Sequence, residues 1–398
     1  MSLQTLNKIQ EALASRPAEL EKARAEGKKV AGWLNYNVPE ELIYAAGLIP
    51  VHLGNGGDNR LVETGGRYIS MMNCVFTRQI TGQFAEGTDA YIKNTDAVFI
   101  DVTCKQLYRV YELINYYFKL KTEIIGVPYN FQTAAGKQYF RKETAAFAAK
   151  LEKISGKKIT AESLKYAVDV YTAIRAAIRA LYRIQAGQET PITWHEVYDV
   201  VQAAYYLDKD VYLRLLQELL AEIETAPVNP KVSPDAPRIL VSGSVIPPGD
   251  RKVLDLAEES GGRVVIDDLW SGFAPYLDTD VKETSVEGIA DAYIERHPHG
   301  SLPVLDIEQD KRLKDIKQLI KDYKADGVLF HTLRYCDCFT FKAAETKSVL
   351  KELNIPFLEI HTEYAKSDIE AIRTRLEAFV ESLKSRRKIA SGFIGAGI

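Results

Sequence analysis

The chain has 398 residues, too many for one ordinary hydrophobic core, so two or three domains are expected. Its composition, 46% hydrophobic and 26% charged, is that of a soluble globular protein. A formal net charge of −3, with no long basic run before residues 384–388, argues against a nucleic acid partner. No apolar run reaches the roughly 18–20 residues that span a bilayer, and the amino-terminal segment lacks the apolar centre of a signal peptide. A cytoplasmic location with no membrane partner is expected.

In chain order, residues 1–29 read as one amphipathic helix, with Leu3, Leu6, Ile9, Leu13 and Leu20 at helical spacing. Residues 30–34 form a short apolar strand. Asn35-Tyr36-Asn37-Val38-Pro39-Glu40-Glu41 turns into a helix, with Pro39 suited to the first helical position and two acids favouring the dipole. Gly47 is a plausible C-cap. The strand 48–53 runs into Gly54-Asn55-Gly56-Gly57-Asp58. That cluster has two readings: a backbone approaching a phosphate or inorganic cluster, or a loose surface loop. It is neither a P-loop nor a dinucleotide fingerprint. Cys74 begins a helix through residue 84, and the buried strand 96–101 leads to Cys104. A helix over 106–119 and a strand over 123–128 follow. The β-α-β-α alternation predicts a parallel sheet covered by helices.

Residues 136–226 are helical in pattern, with helices near 138–153, 161–186, 193–204 and 208–225; Thr160 is an N-cap with Ser163 at the capping-box position. Four prolines in twelve residues from Ala226 to Pro237 mark an interdomain linker. A second α/β unit follows, with strands at 238–244, 263–268, 325–330 and 355–360, and helices at 251–260, 312–323 and 369–385. The expected organisation is an N-terminal helix (1–29), a first α/β domain (30–135), a helical subdomain (136–226), a proline-rich linker (227–237), a second α/β domain (238–385) and a tail (386–398).

Four cysteines in a chain of this size do not form a disulfide framework, and four buried thiols are the plain alternative to a functional site. Three of them nevertheless fall at suggestive places. Cys104 and Cys336 each follow a buried strand, and Cys74 begins a helix in the same module as Cys104. Ligands bind outside the carboxyl ends of strands in open α/β sheets, so two facing modules would bring the three together. Thiolates are the preferred iron–sulfur ligands, and three of them leave one iron exchangeable. Cys338 lies two residues beyond Cys336; both could serve one cluster only if the loop bends sharply. Cys336 is taken as ligand and Cys338 as its neighbour. Zinc is the competing metal, but there is no C-x-x-C and the histidines are scattered. His331 lies near the site; His297-Pro298-His299 reads as a surface loop, its histidines structural or solvated.

The run Val38-Pro39-Glu40-Glu41-Leu42-Ile43-Tyr44-Ala45-Ala46-Gly47-Leu48-Ile49-Pro50-Val51 resembles the amino-terminal signature of the 2-hydroxyacyl-CoA dehydratase / benzoyl-CoA reductase family. Cys74, Cys104 and Cys336 match that family's cluster cysteines in order and rough spacing. Ile266-Asp267-Asp268-Leu269 and the stretch 373–379 also resemble it. The resemblance implies two flavodoxin-like parallel-sheet domains with a helical subdomain, and a [4Fe-4S] cluster held by Cys74, Cys104 and Cys336. It further implies an acyl-CoA substrate, a second homologous subunit (or a second copy in a homodimer), and an ATP-hydrolysing iron–sulfur activator that injects one low-potential electron. In dehydratases that electron makes a ketyl radical from which the 2-hydroxyl leaves; in ring reductases it enters an aromatic thioester. Dehydratase catalytic subunits carry a serine before the Val-Pro-Glu turn and an acid after the next strand. Both are replaced here, which points to an electron-relaying subunit and leaves Tyr36, Asn55 and His331 as candidates for direct catalysis. A benzoyl-CoA reductase subunit, a double-cubane reductase (which needs further cysteines where Trp270 stands) and a cluster-free binding protein are the alternatives.

Overall fold

The computed structural model describes residues 3–304 and 306–395, and side chains as far as residue 389. Met1 and Ser2 of the expected first helix, and residues 396–398 of the expected tail, lie outside the described residues. The first sheet holds β1 (Val30–Leu34), β2 (Ile49–His52), β3 (Ala97–Asp101) and β4 (Thr122–Ile125) in the order β2-β1-β3-β4. The second holds β5 (Arg238–Gly243), β6 (Arg263–Asp267), β7 (Gly327–Leu333) and β8 (Phe357–Thr362) in the order β6-β5-β7-β8. All pairings are parallel. The two sheets thus repeat one flavodoxin-like topology, with helices on both faces. Strands β1, β3, β5, β6 and β7 are buried along their whole length, which is why they read as continuous apolar runs rather than alternating ones.

The helical subdomain comprises Ala134–Ser155, Ala161–Ile184, Trp194–Ala203 and Lys209–Thr225. Two capping boxes start its inner helices, Thr160 with Ser163 and Thr193 with Glu196. The N-terminal helix Gln4–Ala25 docks on the last of them, where the Glu222 carboxylate accepts from the Gln4 and Thr5 amides at 2.6 and 2.9 Å. Among the described residues no helix is long and apolar enough to cross a membrane.

The two sheets are joined by a continuous core, because Trp270, Tyr293, Phe330, Leu333 and Phe339 of the second pack with the apolar residues of the first. Polar ties reinforce the seam. Arg141 grips Asp291 through two bonds of 2.7 and 2.6 Å. Deeper in, Arg175 pairs with the fully buried Glu41, whose other oxygen accepts from the Tyr293 hydroxyl at 2.7 Å.

Several local expectations change. The glycine cluster is neither a phosphate cradle nor a loose loop: Gly56 donates to Pro248 O at 2.9 Å, and a Cβ on Gly57 would lie 2.3 Å from Gly249 O. Gly57 (φ +82°) and Gly249 (φ +95°) let two backbones from different domains touch. Pro39 is the N-cap of Glu40–Ala45 rather than its first helical residue. The helix expected over 106–119 is Lys105–Leu113 followed by a π-helical turn, Ile114–Phe118. His297 and His299 are buried, not on the surface; His297 Nδ1 meets Asp315 at 2.8 Å and its amide donates to Asp278 at 2.8 Å.

Candidate functional site

Each of the three cysteines singled out above is the N-cap of a helix. Cys74 caps Val75–Glu86, Cys104 caps Lys105–Leu113 and Cys336 caps Asp337–Glu352. The Phe76 and Thr77 amides point at the Cys74 sulfur and the Leu107 amide at that of Cys104, so these helix starts favour thiolate there. Cys104 and Cys336 stand at equivalent points, each three residues beyond the end of the third strand of its sheet. That strand lies beside β1 or β5, where strand order reverses and the sheet edge opens into a crevice.

All four cysteines line one cavity between the two sheets. Its walls are largely apolar, with Phe76, Leu107, Val245, Trp270 and Phe339, while Asn35, Thr77, Gln106, His299 and Asp337 supply polar atoms. The thiols face one another in two pairs, Cys74 with Cys336 and Cys104 with Cys338. The Cys336 thiol, helped by the Phe76 and Thr77 amides at the helix start, lowers the Cys74 pKa, while its own is pushed up by Cys74 and burial. Cys338 is lowered to about 7, first by Cys104 and then by the Ser301 hydroxyl, which approaches its sulfur at 2.8 Å. Cys104 rises correspondingly. Three helix N-termini, each the positive end of a dipole, surround this cavity and favour thiolates or an anionic group within it.

Among the described residues, no three His, Cys, Asp or Glu side chains gather closely enough to hold one metal ion. Two facing thiol pairs around a cavity lack the single tetrahedral focus that zinc requires. They do suit a polynuclear cluster, whose thiolates attach at separate corners. Four soft sulfur donors in a largely apolar cage fit an iron–sulfur group.

Gln106 is the residue at the site that sequence reasoning missed. Its Oε1 accepts from the Cys74 amide at 2.6 Å, and its Nε2 donates to Tyr335 O at 2.9 Å. One side chain, two residues after Cys104, therefore ties the Cys74 loop to the Cys336 loop. Tyr335 has a left-handed backbone (φ +64°), unusual for a tyrosine, immediately before Cys336. The only sequence signal for Gln106 was its place in the first turn after Cys104.

The candidates for direct catalysis stand elsewhere. Tyr36 is buried, donates to His297 O at 2.8 Å and lies under the Arg296 guanidinium, 3.8 Å from its ring centre. Asn55 accepts from Gln83 at 2.5 Å. His331 is fully buried within β7, with Nε2 2.7 Å from Thr362 Oγ1, and burial lowers its pKa to about 3, so it is neutral. None of the three lines the cysteine cavity. His299 does, and burial lowers it to about 3 as well.

Asn35 and Trp270 also line a second chamber, where the helical subdomain meets both sheets. Tyrosines 36, 171, 205, 276 and 293 wall it, and Arg175, Lys209 and Arg296 supply cations. Trp33 Nε1, Arg175 Nη1 and Arg296 Nε are buried there without protein partners, a donor set suited to a carbonyl or carboxylate oxygen.

Residues 35–383 match the family model described as 2-hydroxyglutaryl-CoA dehydratase, D-component. The chain is 28% identical to the beta subunit of (R)-2-hydroxyglutaryl-CoA dehydratase of Acidaminococcus fermentans, over 95% of this chain and 98% of that subunit. It is 27% identical to the beta subunit of (R)-phenyllactyl-CoA dehydratase of Clostridium sporogenes, over 90% and 92% of the two chains. Identity to a benzoyl-CoA reductase subunit of Thauera aromatica is 22%, over 90% and 91%. A match that runs from the turn after β1 into the last helix, across both sheets and every cysteine, makes this chain a member of the 2-hydroxyglutaryl-CoA dehydratase D-component family.

Proposed function

We propose that this chain is the electron-relaying iron–sulfur subunit of an ATP-activated 2-hydroxyacyl-CoA dehydratase, which removes water from its thioester substrate through a ketyl radical. Cys74, Cys104 and Cys336 would hold a [4Fe-4S] cluster, which when bound supplies single electrons at low potential. The observation that carries this reading is the convergence of three cysteines at helix N-caps on one cavity between two equivalent sheets. The helix starts stabilise thiolates there, the aromatic wall limits water, and Gln106 keeps two of the cysteine loops in register.

A relay role fits the polar groups around the site. Asn35 Nδ2 donates to Asp101 at 2.9 Å, leaving its Oδ1 unpaired, and Asn37 donates to Thr103 at 2.9 Å, while Tyr36 and Asn55 already have partners within the protein. These engagements leave the substrate hydroxyl to a homologous second subunit. The beta-subunit names of the relatives support such a partner and an acyl-CoA substrate. An ATP-hydrolysing iron–sulfur activator completes the proposed system. With all four cysteines on one cavity, none remains for a second cubane.

The likeness to the Thauera aromatica benzoyl-CoA reductase chain supports a second reading, a subunit of an aromatic acyl-CoA reductase. The test is an anaerobic assay of the chain with its partner subunit, activator, ATP and reductant. Water elimination from a 2-hydroxyacyl-CoA supports the first reading, and reduction of an aromatic acyl-CoA the second. Undiminished turnover with Cys104→Ala would sink both.

A further inference from the structure

We propose that Cys338 is a fourth cluster ligand, so that the site in this chain is closed by cysteine on every side and leaves no iron open to substrate. The inference rests on the cluster reading above and concerns a residue that reading leaves outside the ligand set.

The spacing objection to Cys338 was that two cysteines two residues apart point differently unless the chain bends. The bend is present. Tyr335 takes φ +64°, Cys336 is a non-helical N-cap (φ −82°, ψ 85°), and the helix starts only at Asp337. Cys336 and Cys338 consequently both line the cavity, each facing a different thiol of the first domain: Cys336 faces Cys74, and Cys338 faces Cys104. The four sulfurs form two cross-domain pairs in which Cys338 has the same standing as the other three.

The near-symmetry of the two sheets sharpens the point. Cys104-Lys105-Gln106 and Cys336-Asp337-Cys338 occupy the same three positions at the start of equivalent helices. In the first module the third position is Gln106, which reaches across to Tyr335 and Cys74. In the second it is Cys338, which reaches across to Cys104. Ser301 approaches Cys338 at 2.8 Å, a contact that can persist to a metal-bound sulfur because its hydroxyl can donate. On ligation the Cys338 S–H gives its proton to solvent as its sulfur bonds iron, so the exchange balances without an oxidant or reductant. A fully cysteine-ligated cluster exchanges electrons but not ligands, as a relay requires.

The experiment uses the full chain, prepared anaerobically and loaded with iron and sulfide, as wild type, Cys338→Ala and Cys338→Ser. Iron is counted before and after mild ferricyanide oxidation, and Mössbauer spectra are recorded. The wild type should keep four irons through oxidation and show four sulfur-bound sites. Cys338→Ala should load a cluster but fall from four irons to three on oxidation, with one distinguishable iron before it. Cys338→Ser should shift that one site. If wild type itself falls to three irons, or binds cyanide at iron, Cys338 is not a ligand, whatever the variants do, and the three-cysteine reading stands. Failure of wild type to load any cluster would overturn both readings.

Discussion

Replacing Gln106 with leucine removes the two short bonds that join three loops, and a longer one from Thr77 Oγ1 at 3.4 Å, while keeping most of the side-chain volume. The Cys74 amide loses its acceptor and the Tyr335 carbonyl its donor, both at partly buried positions. An unmet buried polar group costs about 1–3 kcal/mol, and partial water access places each loss near the lower end. The sum is about 2 kcal/mol, which corresponds to about thirtyfold in the equilibrium between ordered and open loops. Tyr335 adds to the effect, because its left-handed conformation costs energy that the Gln106 bond helps to offset. Gln106→Leu should therefore lower the urea midpoint modestly and speed iron loss to a chelator by roughly an order of magnitude. Gln106→Glu, which still accepts from the Cys74 amide but cannot donate to Tyr335, should fall between. Chelator-dependent iron release, followed by visible absorbance under anaerobic conditions, is the assay. Release from Gln106→Leu at the wild-type rate, with unchanged stability, would show that the side chain does not hold the loops.

Other consequences follow from the same structure. Glu41→Gln leaves the buried Arg175 charge without its carboxylate and should cost about 3–5 kcal/mol in urea unfolding; the double variant Glu41→Gln/Arg175→Met should recover much of that loss. Asp267 is raised by burial from 3.8 to about 7, against the donors Tyr182, Phe273 and Leu269. Between about pH 4 and 7 the folded protein keeps a proton there that the unfolded chain has released, so stability should fall as pH rises through that window, by up to about 1.4 kcal/mol per pH unit. Asp250, raised by burial to about 7, acts in the same direction, so Asp267→Asn should remove only part of the slope in urea midpoints measured across that range. Gly57→Ala places a Cβ 2.3 Å from Gly249 O at a backbone of φ +82°, and should lower the melting temperature through at least about 1–3 kcal/mol of strain; an unchanged melt would mean that the two loops separate freely.

The strands were legible because both faces of each sheet are covered, so β1, β3, β5 and β7 each carry a run of consecutive apolar residues. Helix starts were legible where a side chain caps, as at Thr160. The helix Asn59–Gly65, capped by Asp58, was hidden behind the glycines that precede it. The placement of Cys74, Cys104 and Cys336 on one cavity could be anticipated because strand ends of doubly wound sheets share a face. What stayed hidden depended on partners far away in the chain. Gly56 and Gly57 looked like ligand-binding glycines because their true neighbours, Pro248 and Gly249, lie in the other domain. His297 looked solvated because nothing local announces Asp315 and Asp278 beside it. Gln106 was unremarked because a glutamine in a first helical turn is ordinary until the loop it reaches is known. The direction of Cys338 depended on the backbone of Tyr335, a conformation that tyrosine rarely adopts and that its sequence neighbours do not signal.

The measurement that bears most directly on the central claim is the iron and acid-labile sulfide content of the anaerobically purified, reconstituted chain beside its Cys104→Ala variant. The account predicts one four-iron cluster per wild-type chain, with a brown visible spectrum, and a variant that holds its iron less firmly than wild type through desalting while keeping its fold by circular dichroism. A wild-type chain that stays colourless and iron-free, or a variant that holds its cluster as firmly as wild type, would contradict it.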